Sequence, residues 1–126
     1  MLVLDSGAVS RLAERSRASA ALVLALVEEG LWPAAVPSVV LVECLEGHAG
    51  RDAAENRLLK TCDVVDRIPE TVARRAAFLR RRARRGSAVD AIVVAMAEPG
   101  GTVLTTDPHD LEALAAYAQR VAIERV

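Results

Sequence analysis

Aromatic side chains are nearly missing from this chain: Trp32, Phe78 and Tyr117 are the three it has among 126 residues. The core must therefore be built from Ala, Val and Leu, and a sheet that binds RNA by stacking bases on rows of aromatics is excluded. Lysine is nearly missing too. Lys60 is the lone lysine among 16 basic residues, so positive charge here means guanidinium. The two cysteines, Cys44 and Cys62, lack metal-ligand spacing. They are expected to be small buried apolar groups, in a reducing cytoplasmic compartment. No apolar run is long enough to span a bilayer. The first one already meets an acid at Asp5, unlike a secretory leader, so no membrane role is expected.

What is present suits one compact domain over residues 1–126: 52% hydrophobic and 26% charged residues point to a globular chain with a real core. The formal charge of -1 hides an asymmetry, because residues 74–85 hold seven arginines and no acid. That stretch is a local cationic face.

Along the chain, Met1–Leu4 has the look of a buried strand running into a turn at Asp5-Ser6-Gly7. Ala8–Glu14 and Ser19–Glu29 suit helices, and Ala34–Pro37 a second strand. Ser38 is expected to cap a helix running to about His48, followed by a helical stretch over Arg51–Thr61. Asp63–Ile68 suits a third strand. Pro69-Glu70 opens a helix to Arg85 with its arginines outward, and Gly86 breaks it. Ala88–Ala97 is a strongly apolar helix. Thr102–Thr106 is a fourth strand, Asp107-Pro108 starts a helix to Gln119, and Val121–Val126 suits a last strand. Alternating strands and helices give an α/β class with a mostly parallel sheet of four to five strands. There is no internal repeat or linker.

Four carboxylates stand where solvated acids are not expected. Asp5 and Asp107 end strands, the side of an α/β sheet where ligands bind. Glu43 lies in the apolar run Val39–Leu45, and Asp90 is the only charge between Gly86 and Glu98. Each has an ordinary explanation: Asp5 as a turn former, Glu43 on a narrow polar stripe with Glu46, Asp90 in a capping box with Ser87, and Asp107 as an N-cap before Pro108. The joint pattern is harder to explain so. If all four met within roughly 5 Å, each like-charged pair would cost about 3 kcal/mol, and the sum would rival the whole stability of a domain, roughly 5–15 kcal/mol. A divalent cation or protonation would relieve it, and oxygen ligands favour Mg²⁺ or Mn²⁺.

At these residues the chain resembles the PIN-domain ribonucleases, and within them the VapC-type toxins of toxin–antitoxin pairs. The matching pieces are LVLDSGAV around Asp5, VPSVVLVECLEG around Glu43, GSAVDAIVVAMA around Asp90 and VLTTDPHDL around Asp107. The resemblance implies a three-layer α/β/α fold and metal-dependent RNA cleavage with Mg²⁺ or Mn²⁺. It places Asp5, Glu43, Asp90 and Asp107 in the family's acidic, metal-binding and catalytic positions. Ser6, Thr105, Thr106 and Asp110 are implied as outer-shell groups. It also implies a small antitoxin partner and a homodimer.

Arg82 and Arg85, nearest to Asp90 in sequence, are the arginines expected to contact RNA phosphates. His48 and His109 are expected to be surface or capping residues. Two rival readings differ in class. One is a phospho-acceptor or phosphatase domain acting through Asp5. A haloacid-dehalogenase-type phosphatase would need a second Asp where Gly7 stands, and a receiver domain a late Lys. The other is a non-catalytic PIN-fold binding module.

Overall fold

The computed structural model describes all residues, Met1–Val126. Five short strands, β1 (Leu2–Leu4), β2 (Ala35–Pro37), β3 (Asp63–Val65), β4 (Thr102–Thr105) and β5 (Ala122–Arg125), form one sheet in the order β3-β2-β1-β4-β5. Every pairing is parallel. β1, β2 and β4 are apolar on both faces, as strands covered on both sides must be, and Val3, Val36 and Val103 are wholly buried. The chain leaves β1 towards β2 on one side and returns to β4 on the other. The β1–β4 junction is thus the switch point, where open α/β sheets leave a crevice at their carboxyl ends.

Seven helices cover the sheet: α1 (Ser6–Ala13), α2 (Arg17–Glu28), α3 (Leu41–Cys44), α4 (Ala53–Leu59), α5 (Glu70–Ala83), α6 (Ala88–Ala97) and α7 (His109–Ala115). α1 and α6 each pack on both β1 and β4 but not on one another, so they lie on opposite faces and make the three layers. α6 has the most apolar sequence and is the most deeply set; Ala91, Val93, Val94, Ala95 and Ala97 are buried. α2 packs outside α1 with α4 also against α1, and α5 lies outside α6 and α7. The core is one cluster of 23 Leu, Val and Ala residues without an aromatic. No helix is long and apolar enough to cross a membrane.

Several expected boundaries shift. The helix expected over Ser38–His48 is a 3-10 turn, Ser38–Val40, followed by the single turn of α3, and Leu45 is already extended. The physical reason is Asp52, whose buried carboxylate accepts the backbone N–H groups of Glu46, Gly47 and His48 at 2.9, 2.9 and 3.1 Å. Those donors are bound into a loop rather than a helix. The strand expected over Asp63–Ile68 stops at Val65, and the helix expected to reach Gln119 stops at Ala115. Cys44 and Cys62 are only partly buried; both are free thiols pushed up to about 11 by desolvation. His48 is exposed and caps no helix; its Nδ1 takes the Arg51 N–H at 3.2 Å within the turn before α4.

A clasp ties α5 to the far end of α6. Arg75 meets the Glu98 carboxylate through Nε at 2.9 Å and Nη2 at 2.8 Å, while the Gln119 N–H donates to Glu98 Oε1 at 2.8 Å. The Glu98 side chain is only 10% exposed, and these donors hold its carboxyl below the ordinary value of 4.5. Its contribution to stability is therefore complete above pH 4.5 and is lost as pH falls through the lower, folded-state value. Replacing Glu98 by Gln should cost about 1–3 kcal/mol at pH 7 in urea titrations. The difference from wild type should shrink in acid; a gap independent of pH would contradict the account.

Candidate active site

β1 pairs β4 with Leu4 opposite Leu104. The next residues along are Asp5 and Thr105, and the register sets them side by side. Thr105 is wholly buried, and its hydroxyl donates a short hydrogen bond to Asp5 Oδ2. The same Oγ1 accepts the backbone N–H of Asp107 at 3.1 Å. Asp5 Oδ1 accepts the Ala8 N–H at 2.8 Å, which caps α1. One carboxylate thus closes β1, starts α1 and is coupled through one hydroxyl to the chain at Asp107. Desolvation raises the Asp5 pKa above its ordinary value; the bonds from Thr105 and Ala8 lower it, and the charges of Asp90 and Glu43 raise it again.

Asp90 stands at the start of α6 and forms the capping box that its sequence predicts. Its Oδ2 takes the Ser87 N–H and the Ser87 Oγ takes the Asp90 N–H, both at 3.0 Å. Oδ1 is left without a hydrogen bond. The left-handed Gly86 (φ +85°) packs against Leu114, and a side chain there would collide with it. Gly86 therefore fixes how α6 enters the site. Gly7, in the first turn of α1, is covered by the Thr106 side chain, so a methyl group at Gly7 would displace that hydroxyl.

Glu43 departs most from expectation. It was expected on a buried apolar helix. Instead α3 is one exposed turn, Val42 is 83% exposed, and Glu43 faces solvent. Its charge nevertheless acts on Asp5. Asp107 is exposed and is not the N-cap of α7. Pro108 occupies that position and no side chain caps the helix. Asp110 is half exposed and paired with Arg85 at 3.2 Å. Arg82 lies over the Tyr117 ring at 5.3 Å. Both arginines expected to reach phosphates are thus engaged within the fold. Ser6 is the first residue of α1, immediately beside Asp5.

No three acidic, His or Cys side chains are drawn into a single arrangement able to hold a metal ion. The chemistry of the donors fits a divalent cation nonetheless. Asp5 and the two acids whose charges act on it, Glu43 and Asp90, offer only carboxylate oxygens, the Asp90 Oδ1 is free, and the burial and repulsion at Asp5 are what a bound cation offsets. Asp52 and Glu98, which sequence reading passed over, serve the fold. Only the Gly-rich loop ahead of Asp52 hinted at its backbone-binding role.

Substituting Asn for Asp5 keeps an oxygen for the Ala8 N–H and removes a charge that burial and two acids disfavour. A group whose pKa is raised in the folded state stabilises below its unfolded pKa and loses that as pH rises. Asp5→Asn should therefore raise stability at pH 7 by roughly 0.5–2 kcal/mol and by less at pH 3. A lower melting point at pH 7 would show that the charge is compensated in the free protein.

Comparison with known proteins agrees with this architecture. Among curated proteins none matches the chain in sequence. The crystal structure of FitAcB from Neisseria gonorrhoeae is similar in fold, with a TM-score of 0.66 over 98% of this chain and 96% of that one, at 20% identity. The sequence profile of the PIN domain matches residues 2–117, which takes in Asp5, Glu43, Asp90 and Asp107, and the chain belongs to the PIN domain family.

Proposed function

We propose that the protein is a Mg²⁺- or Mn²⁺-dependent endoribonuclease and the toxin of a toxin–antitoxin pair of the VapC type. The observation that carries this reading is the half-buried Asp5 carboxylate at the sheet's switch point, with Asp90 and Glu43 close enough to raise its pKa. Fold stability alone does not favour such an arrangement. Membership of the PIN family supports hydrolysis of a phosphodiester.

In this reading Asp5, Glu43, Asp90 and Asp107 hold the cation. When bound, the ion would supply positive charge at the scissile phosphate and lower the pKa of a coordinated water. Thr105 fixes the Asp5 carboxylate through its buried hydroxyl. Asp90 is fixed by its bond to the Ser87 N–H and presents its other oxygen. Glu43, on its exposed turn, can approach as charge accumulates. Ser6 and Thr106 line the edge, while Asp110 stays with Arg85. The acidic site repels bare phosphate, so placing the scissile phosphate against these carboxylates requires the cation. The family resemblance supports a small antitoxin that covers the acidic end, and a homodimer. No group of three ligands is preformed, which favours as the second reading a binding module that does not cleave.

Purified protein should cleave single-stranded RNA with Mn²⁺ or Mg²⁺ and lose activity in chelator. Asp5→Asn and Asp90→Asn should each lower the rate by more than about 100-fold with circular dichroism unchanged. Mn²⁺ should raise the melting point of wild type but not of Asp5→Asn. Saturable Mn²⁺ binding with no cleavage of any RNA tested would favour the binding module instead.

A further inference from the structure

The seven arginines of α5 and the turn after it fall into two groups. Five are tied to the fold. Arg74 pairs with Glu70, Arg75 with Glu98 and Arg85 with Asp110. Arg80 Nε donates to the Gly86 carbonyl at 3.2 Å, and Arg82 stacks on Tyr117. Arg81 and Arg84 have no acidic, hydrogen-bonding or aromatic partner, and both are exposed. With Arg80 and Ala77 they line a cleft of about 490 Å³ that contains no acid. A second cleft of about 360 Å³, lined by Ala77, Phe78, Arg81 and Arg82, adjoins it.

Phe78 and Tyr117 are 50% and 43% exposed. In a chain with three aromatics, the two exposed ones both lie on this face, each under an arginine. Two unpartnered guanidiniums beside a half-exposed ring match a phosphate chain with stackable bases. A second copy of the same face is a poor match, because two-fold docking would oppose arginine to arginine. The end of α5 is also next to the acidic site. Arg80 binds the Gly86 carbonyl, and a side chain at Gly86 would lie 3.6 Å from the Asp90 Cβ.

We infer that the outer face of α5 is a binding track for single-stranded RNA, with Arg81 and Arg84 holding backbone phosphates and Phe78 stacking a base. This rests on the ribonuclease reading for the identity of the ligand and adds where the strand runs beyond the acidic site. These residues position substrate and take no part in bond cleavage. The acidic end repels a polyanion and α5 attracts one, so the strand is anchored on α5 and led across the Gly86 turn towards Asp90.

The test is fluorescence anisotropy with a labelled single-stranded RNA of about 12 nucleotides, in chelator so that nothing is cut. For Arg81→Gln/Arg84→Gln the affinity near 0.1 M salt should fall by about 25-fold, and the slope of log K against log salt by about 1.4. Phe78→Ala should weaken binding by about tenfold. Arg15→Gln/Arg17→Gln, at the start of α2 on the opposite side of the sheet, makes the same charge change and should have little effect. Neither Arg81 nor Arg84 has a partner to lose, so the melting point should not move, and Arg81→Lys/Arg84→Lys should restore most of the salt slope.

Equal losses from the two glutamine pairs, or wild-type affinity and slope in Arg81→Gln/Arg84→Gln, would overturn the inference. Cleavage separates it from the nuclease reading. A wild type that cuts nothing yet binds through Arg81 and Arg84 defeats the nuclease and keeps the track. A wild type that cuts RNA with the same KM in the glutamine variant does the reverse.

Discussion

The parallel pairing of β1 with β4 is the constraint on which the rest hangs. Two short strands, buried on both faces, have few stable registers, because the core admits no polar group among Leu2, Val3, Leu4, Val103 and Leu104. The first polar residues past that apolar stretch, Asp5 and Thr105, must then lie side by side. A carboxylate there is partly desolvated, and the Thr105 hydroxyl and the Ala8 N–H replace part of the lost water. That replacement is incomplete: burial remains the largest influence on Asp5, and two other acids add to it. A bound cation would relieve a site that holds its own charge poorly, and this is the physical basis of the proposed nuclease reading.

Much of this was legible in the sequence because the signals were local. The alternation of apolar strands and helices gave the α/β class, and runs ending in Asp5 and at Thr106 marked the strand ends, the second one residue beyond the observed end of β4. Ser87 and Asp90 make the capping box their spacing announces, since that motif needs nothing beyond one helical turn. The cationic character of residues 74–85 followed from their seven arginines alone.

What escaped the sequence depends on partners distant along the chain. The Ser38–His48 stretch has helical patterning, yet Asp52 takes three of its N–H groups and ends the helix after one turn. Glu43 is consequently exposed, and the argument that it is a buried charge fails with the helix. Asp107 looked like an N-cap because Pro108 follows it, but its N–H is bound by Thr105 and α7 starts later. The roles of Arg82 and Arg85 could not be read from nearness to Asp90, because their partners Tyr117 and Asp110 arrive from α7 and the turn after it.

The near absence of lysine now has a structural reason on α5. Arg75 binds Glu98 through two nitrogens and also reaches the Tyr117 carbonyl at 3.2 Å, Arg80 closes on the carbonyl of Gly86, and Arg82 covers an aromatic ring. A planar group with several fixed donors can bridge, cap and stack, while an ammonium offers a point charge on a flexible stem. The same geometry serves phosphate oxygens. Bracing the outer helix and presenting charge to a ligand thus demand one residue type, and what separates the two uses is whether the fold supplies a partner. It does so for five of the seven arginines and leaves Arg81 and Arg84 free, at the end of α5 that adjoins Asp90.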